Sequence, residues 1–375
     1  MILGILKEKE PEKRVALLPE DAATLVKMKV HVRIESGAGE TAFASDNDYV
    51  AQGVEITDRN TILTQSDIVI CINTPEKSEM DKIGEQKTIM SVFNPLSDVE
   101  TVKYLKNKNL TAFSFDIIPR TTRAQAMDIL SSMATVSGYR AVLDAARFLP
   151  TFFPMFMTAA GTIKPAKVLI LGAGVAGLQA LATARKLGAQ VEVFDVRSAV
   201  REEVKSLGGK FVEVEGAVED KAAGGYAVEQ TEEYKRKQQE AIHNHAVKSD
   251  VIIATAQIPG KRAPILLKKE TVEAMKPGSV IIDLAASTGG NCELTENAST
   301  VVKNGVTIIG KSDYPATMPV DASRMFGKNI INFLKLLIDK EGNYNINLED
   351  DIVKGTCVTH SGNIISERIK SVVEP

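Results

Sequence analysis

The clearest chemical signal in the chain is a glycine turn set between a strand pattern and a helix pattern. The apolar run Lys167-Val-Leu-Ile-Leu171 leads straight into Gly172-Ala173-Gly174-Val175-Ala-Gly177, and an Ala-rich segment follows to Leu187 before Gly188. Gly172 permits a tight turn, Gly174 omits the side chain that would block a pyrophosphate, and Gly177 lets the helix approach the sheet. The amides at the helix start then face phosphates. The next apolar run ends at Asp195, where a carboxylate accepts hydrogen bonds from an adenosine ribose diol. The pattern predicts dinucleotide binding. Asp195 would repel a 2′-phosphate, which favours NAD; Arg197 leaves that preference open, because an arginine can accommodate such a phosphate or simply face solvent.

A nicotinamide dehydrogenase acting on an alcohol or amine needs a group to take the substrate's proton, and His is the usual choice. The 4 histidines are His31, His243, His245 and His360. The first sits in an apparent strand, the pair in a polar helix and the last in the tail, so each reads as structural or solvated. None lies in a motif suited to proton transfer, which points to a hydride partner from which no proton is abstracted. Metal chemistry and disulfides are set aside: Cys71, Cys292 and Cys357 are too far apart for a zinc cluster, and an odd, sparse count fits a reducing compartment.

The elements that must position these residues read as alternating strands and helices. Runs apolar at nearly every position recur at 67–72, 88–93 and 111–115, then at 167–171, 190–194, 250–254 and 279–283. Strands apolar on both faces belong to parallel sheets covered by crossover helices. The fold class expected is α/β, with two doubly wound parallel-sheet, Rossmann-like domains. Segment 19–29 opens with Pro19, Glu20 and Asp21, a helix first turn. Segment 128–149 reads as one or two helices crossing to the second sheet, with Gly138 as a weak point, and 321–337 as a matching helix after strand 306–309. The two crossings make the first domain discontinuous, 1–135 plus 315–375, without the glycine fingerprint. Residues 136–314 form the NAD(H)-binding domain, with a cleft between the two. The most polar, Gly-containing insertion is 215–233, around Gly224-Gly225-Tyr226.

Composition excludes several classes. The 375 residues are 44% hydrophobic and 25% charged, an ordinary globular balance. A net charge of −3, no Trp and 5% aromatic residues offer neither an electrostatic footprint for nucleic acid nor stacking platforms for single strands. No apolar run is long enough to span a membrane, and the N-terminal apolar run is too short for a signal sequence.

The segment Pro119-Arg120-Thr121-Thr122-Arg123-Ala-Gln125-Ala-Met-Asp128-Ile-Leu-Ser131-Ser132, with Met157-Thr-Ala-Ala-Gly-Thr162, the glycine turn, Gly224-Gly225-Tyr226 and Gly289-Gly-Asn-Cys292, closely resembles the NAD(H)-binding (alpha, domain I) component of proton-translocating NAD(P) transhydrogenase. The resemblance runs from Glu8 to about Ser361. It implies direct hydride transfer between NADH bound here and NADP+ held by a separate protein domain, coupled to proton movement by an integral membrane proton-channel subunit. The chain would then be a homodimer, cytoplasmic and peripheral on the inner (plasma) membrane, as a separate subunit or a piece of a longer protein. The catalytic constellation maps onto Arg120, holding the nicotinamide carboxamide or a nearby phosphate, Gln125, reaching toward the ribose of the NADP(H), and Asp128, ordering the loop and the carboxamide. Direct transfer between two nicotinamides asks the protein for positioning rather than acid/base work.

Residue-by-residue matching also implies nucleotide contacts at Thr121, Thr122, Ser131, Gly172, Ala173, Gly174, Val175, Gly177, Asp195, Val196, Arg197, Gly225, Tyr226, Gln238, Thr255, Ala256 and Gln257. Tyr226 resembles the tip of the mobile loop that closes over nucleotide in this family. A purely structural account also exists: Thr122 and Gln125 fit a capping box, and Arg120 and Asp128 could be a surface pair.

The related family, alanine dehydrogenase, is the competing enzyme. Its members carry a Lys in the segment matching 70–75 and a His in the segment matching 92–96. This chain offers Cys71 or Asn73 and Asn94, which neither carry charge nor transfer a proton near neutral pH. Arg14 matches the arginine that binds the amino-acid carboxylate there, and it reads equally as a core-edge ion pair. A silent NAD(H)-responsive regulatory module is the third alternative.

Overall fold

A computed structural model describes residues 1–218, 230–257 and 260–374. The chain forms two compact units, Met1–Met133 with Pro315–Pro375, and Ala134–Tyr314.

Among the described residues, the first unit is built on an 8-stranded sheet in the order Asn363–Ile364, Cys357–His360, Thr111–Ser114, Thr88–Val92, Ile68–Asn73, Ile2–Ile5, His31–Glu35, Glu55–Thr57. Its six N-terminal strands are parallel, as their doubly apolar runs require. The last two strands come from the tail and are antiparallel, an addition that the all-parallel expectation lacked. Pro19 starts helix Pro19–Lys27 with Glu20 and Asp21 in its first turn. Helix Pro319–Leu334 packs Phe326 and Phe333 edge-on against Phe115. It begins and ends earlier than the expected 321–337 because Pro319 sets its first turn.

The second unit has 7 strands among the described residues, in the order Lys210–Val212, Gln190–Phe194, Lys167–Leu171, Val251–Ala254, Val280–Asp283, Val306–Gly310, Ser299–Lys303. All neighbours are parallel except Ser299–Lys303, an antiparallel edge strand with mostly exposed residues. Strands Val251–Ala254 and Val280–Asp283 are buried at every position. The region 128–149 is a single helix, Ile129–Phe148. Gly138 is a contact point in it rather than a weak point: an added Cβ would lie 2.2 Å from Ala176 O at the start of helix Val175–Lys186. A separate two-stranded hairpin pairs Phe156–Thr158 with Gly161–Ile163.

Candidate functional site

Strand order in the second unit reverses between Lys167–Leu171 and Val251–Ala254, and ligands of open α/β sheets bind at such a reversal, beyond the carboxyl ends. The glycine turn lies there. Gly172 has φ +106, a conformation that disfavours side chains, and an added Cβ would meet Thr255 Oγ1 at 2.6 Å. A Cβ on Gly177 would lie 1.8 Å from Gly172 O, so only glycine lets the helix start beneath the turn. Around Gly174 nothing among the described residues stands within 4 Å of an added Cβ. Gly174 is also the N-cap of helix Val175–Lys186, and no described side chain caps that end. An open, uncapped helix N-terminus fits a pyrophosphate.

Asp195 is nearly buried and already fully engaged. Its Oδ2 accepts from Ala173 N and Arg197 Nη2, both at 2.7 Å, and its Oδ1 accepts from Arg197 N and Nε at 2.8 Å. Arg197 is therefore neither a solvated charge nor set for a 2′-phosphate in this structure; it covers the carboxylate that would receive a ribose. Pairing with Asp195 raises its pKa further above the usual arginine range. Val196 is half-buried next to this pair. Gln238 is buried in helix Glu232–Ala246. Thr255 Oγ1 donates to Gly172 O at 3.0 Å, Ala256 N donates to Asn291 Oδ1 at 3.0 Å, and Gln257 Nε2 donates to Leu284 O at 3.0 Å. Gly225 and Tyr226 lie outside the described residues.

In the first unit, Arg120, Thr121, Thr122 and Gln125 are all exposed. They lie at or beside a 3₁₀ helix, Thr122–Met127, anchored by buried Ala124 and Met127. Its cap is Thr121, whose Oγ1 accepts from Ala124 N at 3.3 Å, and not the Thr122 of the expected capping box. Asp128 starts helix Ile129–Phe148: its Oδ1 accepts from Ser131 N at 3.0 Å and its Oδ2 from Ser131 Oγ at 2.6 Å. Tertiary partners hold the turn from below. Asn329 Nδ2 and Asn332 Nδ2 donate to Ala126 O at 2.8 and 3.1 Å, and Arg123 pairs with Asp350. Sequence spacing carries no signal for these three partners.

The first sheet has the same reversal, between Ile2–Ile5 and Ile68–Asn73, but its own carboxylate stands there. Glu8 accepts from Ile72 N at 2.6 Å, from Asn73 N at 3.1 Å and from Asn73 Nδ2 at 3.0 Å. Desolvation nevertheless raises its pKa. The polar groups matching amine-oxidising machinery are similarly occupied. Arg14 Nε and Nη2 donate to Glu12 at 2.8 and 2.6 Å, Asn73 serves Glu8, and Cys71 is buried with its thiol pushed up by desolvation. Every histidine has a local partner: Glu55 for His31, Thr271 for His243, Glu192 for His245 and Thr111 for His360. Among the described residues no His, Cys, Asp and Glu group could hold a metal ion.

Family models for the N-terminal and C-terminal domains of alanine dehydrogenase/PNT match residues 4–137 and 141–367. The chain belongs to that family, in its transhydrogenase alpha-subunit branch. It is 46% identical over 375 residues to an NAD(P) transhydrogenase subunit alpha polypeptide of Rhodospirillum rubrum, covering 97% of this chain and 98% of that one. A crystal structure of transhydrogenase from Sinorhizobium meliloti superposes with a TM-score of 0.89 at 37% identity, covering 97% of this chain and 100% of that one. Alanine dehydrogenase of Mycolicibacterium smegmatis is more distant, 25% identical over 378 residues, covering 98% of this chain and 96% of that one. The second unit is thus an NAD(H)-binding, dehydrogenase-like domain of the transhydrogenase alpha-subunit family.

Proposed function

We propose that this chain is the NAD(H)-binding component of a proton-translocating transhydrogenase. Bound NADH supplies a hydride that passes directly to NADP+ carried by a separate NADP(H)-binding domain. The observation that carries the reading is the contrast between the two sheet reversals: open and glycine-lined in the second unit, filled by Glu8 in the first.

The residues act by binding and orientation. Gly172, Ala173, Gly174, Val175 and Gly177 receive the pyrophosphate, and Asp195 takes the adenosine ribose once Arg197 yields. Val196, Gln238, Thr255, Ala256 and Gln257 complete the nucleotide contacts, with Gly225 and Tyr226 assigned on resemblance alone. Arg120, Thr121, Thr122, Gln125 and Ser131 contact nucleotide from the exposed turn, and Arg120, Gln125 and Asp128 set the geometry of transfer. No proton relay is assigned, which agrees with histidines engaged in local contacts and with Asn94 standing where amine chemistry would need a base. The occupied Arg14 and Asn73 count against alanine dehydrogenase activity.

No helix among the described residues is long and apolar enough to cross a membrane, so proton movement is assigned to an integral membrane partner. The chain then sits peripherally, on the cytoplasmic face of the inner membrane. The homodimer reading is supported by the hairpin Phe156–Thr158/Gly161–Ile163. With Phe152, Met155, Phe156 and Met157 exposed by 42 to 78%, it presents a contiguous apolar surface of the kind that marks an interface.

The deciding experiment titrates the purified chain with NADH, NADPH and L-alanine, then adds the NADP(H)-binding component. Tight NADH binding with NADH-dependent reduction of an NADP+ analogue on that component is expected. Alanine-dependent NAD+ reduction would instead establish the alanine dehydrogenase reading, and binding without either reaction would leave a regulatory module.

A further inference from the structure

The segment that walls the glycine turn, Thr255 to Gln257, is held by a buried side chain. Asn291 has 0% exposure. Its Oδ1 accepts from Ala256 N at 3.0 Å, and its Nδ2 donates to Ala256 O and to Pro264 O, each at 2.9 Å. One amide thereby grips both sides of a single residue and ties it to Pro264. The Asn291 backbone is used as well: its N–H donates to Asp283 Oδ2 at 2.8 Å, and its carbonyl accepts from Leu266 N and Leu267 N at 2.8 and 2.9 Å.

Asp283, at the carboxyl end of its strand and 0% exposed, aims this clamp. Its carboxylate accepts from Ala285 N, Asn291 N, Cys292 N and Thr295 Oγ1 at 2.7 to 3.0 Å. Four donors compensate a charge that burial would otherwise penalise heavily. Gly289 and Gly290 have φ +105 and +76, and a Cβ on Gly290 would come within 2.9 Å of Asp283 Oδ2. The paired glycines are therefore the wrap that lets consecutive amides close on the carboxylate. The wall so fixed touches the nucleotide turn directly, since a Cβ on Gly172 would meet Thr255 Oγ1 at 2.6 Å and Ala256 N at 3.3 Å.

We infer that Asn291 is a positioning residue for the dinucleotide: by clamping Ala256 it sets the wall against which the glycine turn Gly172 to Gly177 holds its ligand. No other side chain of this size does the same. Aspartate would lose both donors and face two carbonyl oxygens, and an aliphatic residue would leave Ala256 and Pro264 with buried, unpaired backbone groups. The inference deepens the NAD(H)-binding reading and rests on it.

The test titrates the full chain with NADH by fluorescence, in wild type, Asn291→Asp and the smaller-change variant Asn291→Ser. It is run at a temperature where circular dichroism shows each protein fully folded. Both variants should bind NADH at least about tenfold more weakly. A purely structural role would lower the thermal midpoint and leave the affinity of the folded protein at the wild-type value, and that result overturns the inference. Should neither variant fold, hydrogen exchange on the wild type decides. NADH should slow exchange in peptides covering both 251–257 and 284–294, and no change in either overturns it. Failure of the wild type itself to bind NADH removes the underlying reading, and this inference with it.

Discussion

Arg123 and Asp350 stand 227 residues apart in the chain and meet as a two-armed pair, Nη1 to Oδ2 and Nη2 to Oδ1, both at 2.7 Å. Asp350 also caps helix Asp351–Thr356, its Oδ1 accepting from Ile352 N and Val353 N. One carboxylate thus fastens the turn that displays Arg120 and Gln125 to the returning tail. Asp350→Ala should cost about 1 kcal/mol of stability through the lost cap, and Arg123→Ala less, because that side chain is exposed. Both should slow hydride transfer more than they weaken NADH binding. Arg123 holds the Asp350 carboxyl below the usual carboxylate range. The pair's contribution is therefore present above the unfolded pKa of about 4 and is lost as pH falls through the lower folded value. Urea midpoints of wild type and Asp350→Ala, compared at neutral and at strongly acidic pH, should converge on the acid side.

Gln125 is exposed, while its neighbours Ala124 and Met127 anchor the turn. Shortening it to Asn should leave the fold and NADH affinity within about twofold and slow hydride transfer at least about tenfold, because only geometry across the transfer changes. Stopped-flow transfer rates beside an NADH titration check this. A large loss of NADH affinity would contradict the assigned role.

Asp195 binds Ala173 N and the Arg197 guanidinium together. Asp195→Ala removes the ribose acceptor and releases Arg197, so NADH affinity should fall at least about tenfold and the preference for NADH over NADPH should narrow. Parallel titrations with both nucleotides measure the ratio; an unchanged ratio would show that Asp195 does not discriminate.

Two glycines separate stability from binding. Gly138→Ala places a Cβ 2.2 Å from Ala176 O and should destabilise the protein by about 1 to 3 kcal/mol through overpacking. Gly177→Ala places one 1.8 Å from Gly172 O, displacing the turn itself, and should abolish NADH binding. Thermal midpoints and NADH titration of the two variants should rank them oppositely: the smaller binding defect belongs to Gly138→Ala.

Asp21 is buried on helix Pro19–Lys27, and desolvation, aided by Glu20, raises its pKa to about 6. Because the folded value lies above the unfolded one, the native state holds the extra proton. Stability is then highest below about pH 4 for this group and falls as pH rises toward about 6. Asp21→Asn stays neutral, so it should gain on wild type by about 1 to 3 kcal/mol at pH 8 and show no gain near pH 4. Equal gains at both values would exclude ionisation as the cause.

The strands with both faces buried and the glycine turn between Leu171 and Val175 were legible in the chain alone. Their signals are local: two covered faces demand unbroken apolar runs, and a backbone approaching phosphate demands missing side chains in a fixed order. What holds those parts in place was not legible. The tail strands beside Thr111–Ser114, the Asn329, Asn332 and Asp350 supports under Ala126 and Arg123, and the Asp283, Asn291 and Ala256 clamp join residues far apart in the chain, where no periodicity relates the partners. Gly138 reads as a defect in a helix until Ala176 is packed against it. Arg197 reads as an open charge until its carboxylate is found. Buried polar groups must find partners wherever packing brings them, and that choice belongs to the folded chain.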